Sequence, residues 1–364
     1  MEVPVLAVLG AQPPPDFAKI EDQAEVRHCD DAGLADALSG ADALFVWDFT
    51  SRAVPGAWPA ADVSRLRWVH IASAGVDTLM FDALRSSDVV VTNSRGVFDG
   101  AIAEYVLGLV LSFAKDIPGT LRLQSDGRWR HRETERIAGR EALVVGTGPI
   151  GRAVARLLRA VGMRVAAVGR TARADDDFGQ VYAAGDLHTA LAGADYVICV
   201  APLTDQTTGM FDAGAFAAMR PGARFVNVGR GAHVVTDDLV AALRTGRLGG
   251  AALDVFDTEP LPPGSPLWSM SNVVISPHMS GDFIGWKPAL VEVFTDNFAR
   301  WVSGRPLRNV VDKRLGYVTA GRTSGAANGG AATSGAANGG GAGGASGESS
   351  SGGGARGERE AADG

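Results

Sequence analysis

The chain of 364 residues is long enough for two folded domains with a large core. Its 34 Lys and Arg against 41 Asp and Glu give a formal charge of −7 with no basic stripe, so composition makes no case for nucleic-acid binding. No run of about 18 apolar residues argues for a membrane span, and the only cysteines, Cys29 and Cys199, lie too far apart for a disulfide framework, which suits a reducing cytoplasm.

Met1–Gly10 is apolar but lacks a basic flank or a cleavage pattern, so Val5–Leu9 reads as a first strand and not as a signal peptide. Further strands are expected at Ala43–Trp47, Trp68–Ile71 and Val89–Thr92. Ala101–Phe113 is a strongly apolar helix expected to cross into a second domain. Ala142–Val145 is a strand that runs into Gly146-Thr-Gly148-Pro-Ile-Gly151. Ile150, Val154, Leu157, Leu158 and Val161 then recur at helical spacing, with Arg152, Arg156 and Arg159 facing elsewhere. Apolar runs at Val165–Val168, Tyr196–Val200, Arg224–Val228, Ala251–Val255 and Val273–Ser276 read as strands, and Cys199 is buried in one of them. A helix is expected from Thr236, read as its cap, with Asp237 and Asp238 in the first turn and Gly246 at its end. Pro288–Ser303 is a further helix, with Leu290, Val293, Phe294, Phe298 and Trp301 on one stripe that returns to the first domain.

Alternation of this kind implies parallel sheets covered on both faces, with one α/β domain inserted into another and the active site in the cleft between them. From Thr319 onward the composition changes: Gly fills about a third of positions, and Thr-Ser-Gly-Ala-Ala-Asn-Gly-Gly occurs at Thr323–Gly330 and again at Thr333–Gly340. Such a segment has little to bury and is expected to form a flexible tail without a role in the chemistry.

Gly146, Gly148 and Gly151 have the spacing of a dinucleotide loop, set between a strand and a helix. The first glycine permits the turn, the second lets backbone approach a pyrophosphate, and the third lets helix and strand pack. The helix N-terminus, with Pro149 and Ile150, then faces the anion. Sites for NAD place a carboxylate at the end of the next strand to bind the ribose 2′-hydroxyl. Here that end reads Val168-Gly-Arg170-Thr171-Ala-Arg173. Arg170, Thr171 and Arg173 suit a 2′-phosphate, so NADP(H) is favoured and NAD(H) stays open if Asp175 or Asp176 reaches back.

Arg230, Glu259 and His278 each lie a few residues past a predicted strand, so all three are expected on the edge that carries the Gly loop. Hydride delivery to a 2-keto acid develops negative charge on the carbonyl oxygen. A protonated His278 can neutralise it, Glu259 can orient the ring, and Arg230 can pair the substrate carboxylate through two parallel hydrogen bonds. Each residue alone has an ordinary reading as a loop or cap, and the joint placement carries the argument. The six histidines are scattered without ligand spacing, so no metal is expected.

Seven segments in order resemble the D-isomer-specific 2-hydroxyacid dehydrogenase family: Ser73-Ala-Gly-Val-Asp77, Glu104–Gly108, Val145–Gly151, Pro202-Leu-Thr204, Asn227–Gly231, Asp254–Pro260 and Ser276-Pro-His278. Val46-Trp47-Asp48 and the Arg-bearing strand end are similar to its glyoxylate/hydroxypyruvate reductase-like branch. The resemblance implies a Rossmann-type doubly wound domain over residues 99–282, inserted into a smaller flavodoxin-like α/β substrate domain over 1–98 and 283–318, with 319–364 as the tail. It implies catalysis by Arg230, Glu259 and His278. It further implies substrate contacts from Trp47, Ala74 and Gly75, cofactor contacts from Pro202, Val228 and Asp254, and a homodimer formed through the Ala101–Phe113 helix. Met279 and Ser280 depart from the small apolar residues usual after the histidine and leave substrate size open. A corepressor-like dinucleotide sensor of the same fold is the alternative, since such a protein can keep all three catalytic residues.

Overall fold

The computed structural model describes residues 3–58 and 60–319; the expected tail beyond Thr319 lies outside them. Two sheets organise the chain. The first holds β1 (Val5–Leu9), β2 (Glu25–Cys29), β3 (Ala43–Val46), β4 (Trp68–Ile71) and β5 (Val90–Asn93), all parallel, in the order β2-β1-β3-β4-β5. That is the flavodoxin-like order. The second holds β6 (Glu141–Val145), β7 (Arg164–Gly169), β8 (Arg173–Asp175), β9 (Gly179–Ala183), β10 (Tyr196–Cys199), β11 (Ala223–Asn227), β12 (Leu248–Leu253) and β13 (Val273–Ile275). Its order is β13-β12-β11-β10-β6-β7-β9-β8, parallel except for the β8 edge. The strand order reverses between β6 and β10, which makes this sheet doubly wound, as expected.

The continuous apolar runs have a physical reason. Successive side chains of a strand point to opposite faces, and both faces here are covered. Leu6, Val8, Phe45 and Trp68 pack on one side of the first sheet, while Ala7, Leu9, Leu44 and Val46 pack on the other. In the second sheet Val144, Ile198 and Val226 face one layer, and Leu143, Val197 and Phe225 the opposite one.

Four helices matter for the site. Helix α1 (Asp99–Ala114) packs on α2 (Pro149–Ala160) and buries Ile102, Val106, Leu109 and Val110 within the chain. Helix α4 (Trp286–Val302) returns to the first sheet, where Phe294 stacks on Phe45 at 4.0 Å and on Trp68 at 5.3 Å. Helix α3 (Thr236–Arg244) corrects one expectation. Its N-cap is Val235, without a side-chain cap; Thr236 is already helical, and its hydroxyl donates to Asp257 Oδ2 at 2.8 Å. The nearby acceptor on the β12 loop draws the hydroxyl away from the helix end. Gly246, at φ +72°, ends the helix as expected.

Candidate active site

The carboxyl ends of β6, β11, β12 and β13 lie on one edge of the second sheet because these strands are parallel. The Gly loop leaves β6 there. A Cβ at Gly151 would lie 2.0 Å from the Gly146 carbonyl oxygen, and Gly146 itself adopts φ +118° against the Val200–Ala201 backbone. Only glycine meets either demand. A Cβ at Gly148, by contrast, would meet nothing within 4 Å. Open space therefore stands beside the N-terminus of α2, whose first residues are Pro149 and Ile150 and which has no side-chain cap. An anionic pyrophosphate fits that space. Pro202 and Val228 follow β10 and β11 on the same edge; the Pro202 carbonyl accepts from the Thr207 hydroxyl at 2.8 Å, and the Val228 N–H donates to the Cys199 carbonyl at 3.2 Å.

At the end of β7, Arg170 and Thr171 are exposed. Asp175 does not reach back toward the loop. Arg152 of α2 grips both its oxygens at 2.9 Å, and Arg173 donates to it at 3.2 Å. These hydrogen bonds hold the Asp175 carboxyl down at about 2. Asp176 offers its backbone carbonyl to Arg159.

His278 and Glu259 meet as the sequence implies: His278 Nδ1 lies 2.8 Å from Glu259 Oε2. The other Glu259 oxygen accepts the Phe256 N–H at 2.9 Å. Partial burial alone would raise the Glu259 carboxyl, but these two hydrogen bonds and the charges of His278 and Arg230 hold it below the usual carboxylate range. Both side chains keep more than a third of their surface open, which leaves the imidazole accessible to a substrate. His278 adopts φ +54°, a left-handed conformation uncommon for a residue with a side chain. Asp254 sustains it. This buried residue accepts the His278 N–H at its carbonyl, while its carboxylate takes the Ser276 hydroxyl and the Met279 and Ser280 N–H groups at 2.6, 2.9 and 2.8 Å.

Arg230 is placed from three sides. Gly231 lies so close to Phe256 that a Cβ there would come within 1.8 Å of the Phe256 carbonyl carbon, which sets the β11 loop against the segment carrying Glu259. The Arg230 N–H donates to His233 Nδ1 at 3.1 Å. The guanidinium Nε donates to Asp77 Oδ1 at 3.0 Å, and a Cβ on Gly75 would stand 1.9 Å from Nη2. The Ala74 carbonyl is held by Asn93 Nδ2 and the Gly75 carbonyl by the Ser73 hydroxyl, while the Ala74 and Gly75 N–H groups make no hydrogen bond among the described residues. Asp77 closes the Ser73–Asp77 motif, but its contact with Arg230 is not expected from the sequence, and His233 carries no motif of its own. His233 is buried between Pro202 and Cys199, and that burial lowers its pKa, which keeps Nδ1 free to accept.

Trp47 sits at the carboxyl end of β3, where the first sheet reverses its order beside β1, and packs on Gly10. Phe49 meets Trp286 edge-on at 6.1 Å, Met279 is exposed, and Ser280 is buried beneath the His278 loop. Among the described residues no group of His, Cys, Asp and Glu is arranged to hold a metal ion, and no helix is long and apolar enough to cross a membrane.

A doubly wound sheet with a glycine loop, a His–Glu pair and an arginine on one edge defines a dinucleotide-dependent oxidoreductase. The chain belongs to the D-isomer specific 2-hydroxyacid dehydrogenase family, whose NAD binding domain matches residues 107–280. It is 31% identical over 271 residues to glyoxylate/hydroxypyruvate reductase A of Serratia proteamaculans, covering 71% of this chain and 83% of that protein. Among solved structures, the NADPH-dependent glyoxylate/hydroxypyruvate reductase of Sinorhizobium meliloti, in complex with NADP and sulfate, aligns with a TM-score of 0.75 at 30% identity, covering 87% of this chain and 100% of that one. A D-isomer specific 2-hydroxyacid dehydrogenase from Xanthobacter autotrophicus, in complex with NADPH and MES, aligns with a TM-score of 0.73 at 32% identity, covering 86% and 100%.

Proposed function

We propose that the chain reduces a small 2-keto acid of the glyoxylate or hydroxypyruvate kind with NADPH, using His278 as the acid. The observation that carries this reading is the 2.8 Å His278–Glu259 pair, placed beside Arg230 on the edge that bears the Gly loop. A reduced nicotinamide, when bound, would supply the hydride. Arg230, with the Ala74 and Gly75 N–H groups, holds the substrate carboxylate and polarises the carbonyl. His278 gives its Nε2 proton to the carbonyl oxygen as charge develops there, and Glu259 keeps the Nδ1 side of the ring in register and stabilises the imidazolium. In the reverse direction the same nitrogen takes the proton from the 2-hydroxyl.

Gly146, Gly148, Pro149, Ile150 and Gly151 would hold the pyrophosphate, with Arg170 and Thr171 toward the 2′-phosphate and Pro202, Val228 and Asp254 along the remainder of the cofactor. Trp47 closes the substrate pocket. The substrate domain comprises residues 1–98 and 283–318, and the cofactor domain 99–282. The homodimer we propose forms through α1, whose Tyr105, Leu107, Leu111 and Phe113 are only partly buried, together with the exposed Ile117, Leu121 and Trp129 that follow it. The two free cysteines suit the cytoplasm. Initial rates for glyoxylate, hydroxypyruvate, phenylpyruvate and branched 2-keto acids with NADPH and with NADH test the proposal. Turnover of a short keto acid with NADPH is expected; no turnover across the panel would return the chain to the sensor reading.

A further inference from the structure

The sequence offered Arg170 and Arg173 as equal partners for a 2′-phosphate, but strand register separates them. Arg170 follows the last residue of β7 and stands at the carboxyl edge of the sheet. Arg173 opens β8, which turns back antiparallel to β9: Arg173 pairs with Val181, which in turn pairs with Ala167. The Arg173 backbone is therefore set back from the edge, level with a residue three before Arg170, and its side chain is tied to Asp175 at 3.2 Å. Asp175 is set back further, opposite Gly179, and is locked to Arg152. Arg170 has no carboxylate partner among the described residues.

What touches Arg170 comes from the far end of the chain. Its guanidinium carbon lies 5.3 Å from the centre of the Tyr317 ring, a distance at which the face of an aromatic ring attracts a cation. Tyr317 belongs to a tight turn whose root is in the first sheet. The Val311 N–H donates to the Val91 carbonyl of β5 at 2.9 Å, Asp312 bridges Tyr317 antiparallel, and Arg95 holds the Val318 carbonyl at 3.1 Å. The turn thus delivers one ring from the first sheet to the arginine at the end of β7, which has no carboxylate partner among the described residues.

We propose that Tyr317 is a positioning residue for cofactor specificity: it holds Arg170 at the sheet edge to read the 2′-phosphate of the dinucleotide, a task Arg173 does not share. The inference rests on the NADPH reading above. Planar guanidinium binds phosphate well once its orientation is fixed, and a long exposed side chain otherwise loses rotamer entropy on binding. The ring supplies that fixation before the cofactor arrives.

Calorimetric titration of the full chain with adenosine 2′,5′-bisphosphate and with adenosine 5′-monophosphate isolates the 2′-phosphate without any turnover. The wild-type chain is expected to prefer the bisphosphate. Arg170→Ala should lose at least about tenfold of that preference, and Tyr317→Ala about two- to fivefold. Tyr317→Phe, which keeps the ring face, and Arg173→Ala should retain it. Monophosphate binding should be unchanged throughout, a result that also certifies folding. A wild-type chain without the preference overturns the NADPH reading itself. Where the preference is present, an unaltered ratio in Tyr317→Ala, equal weakening of both ligands, or a larger loss from Arg173→Ala than from Arg170→Ala overturns the inference alone.

Discussion

Arg230 Nε donates to Asp77 Oδ1 at 3.0 Å, so the proposed substrate anchor on the second sheet is aimed by a carboxylate from the first. The pair joins loops of the two sheets and sets Nη2 beside Gly75, where a Cβ would stand 1.9 Å from it. Asp77→Asn should raise KM for the keto acid about tenfold while lowering kcat less, because the loss is mainly of orientation. Gly75→Ala should do at least as much, since its Cβ would occupy the guanidinium position. Steady-state kinetics at saturating cofactor read both, and an unchanged KM in each variant would separate Arg230 from substrate binding.

The His278 loop depends on one buried carboxylate. Asp254→Ala leaves the Ser276 hydroxyl and the Met279 and Ser280 N–H groups without their acceptor, at a cost of about 2–4 kcal/mol in stability. It also releases the left-handed His278 backbone, so kcat should fall by more than the loss of stability alone explains. Denaturant unfolding read beside turnover checks the two effects, and a variant of full stability and full turnover would contradict the role.

Glu259 is held below the usual carboxylate range, so it is ionised wherever the enzyme works near neutrality. Glu259→Gln keeps the shape but removes the charge that stabilises the imidazolium, and kcat should fall about 10- to 100-fold near neutral pH. The depressed pKa also means that the wild-type pair contributes at and above the ordinary Glu value and is lost as pH falls through the lower folded one. The pH profile of kcat for wild type and variant reads this, and superimposable profiles would refute it.

The Arg152–Asp175 contact makes a separate acid prediction. The Asp175 carboxyl, ordinarily at 3.8, lies at about 2 in the fold. Its contribution is complete above the ordinary value and is lost as pH drops from about 5 toward 2, amounting to about 1–2 kcal/mol after allowance for the partly exposed arginine. Asp175→Asn should lower the melting temperature at pH 7 and leave a flatter acid dependence, as measured by calorimetry between pH 7 and 3.

Much of this architecture was legible because parallel strands buried on both faces read as continuous apolar runs. Val5–Leu9 and Trp68–Ile71 match their strands end to end, and the others shift by a few residues at most. Glu25–Cys29 escaped because it is an edge strand of mixed character, and Arg173–Asp175 and Gly179–Ala183 because they are short and polar. Arg230, Glu259 and His278 were found because each follows a strand in a recognisable motif. His233 and Tyr317 were not, and Asp77 was marked only as the end of the Ser73–Asp77 motif, because their roles are contacts between distant loops that no local pattern encodes. Thr236 misled for the same reason: its partner, Asp257, lies on another loop.

The central claim is that His278 donates the proton that accompanies hydride transfer. Single-turnover oxidation of bound NADPH by glyoxylate, followed in His278→Ala after cofactor binding has been verified by calorimetry, tests it most directly. A fall of about 10²- to 10⁴-fold in the hydride-transfer rate is predicted. A rate within about twofold of wild type, with cofactor bound equally well, would contradict it.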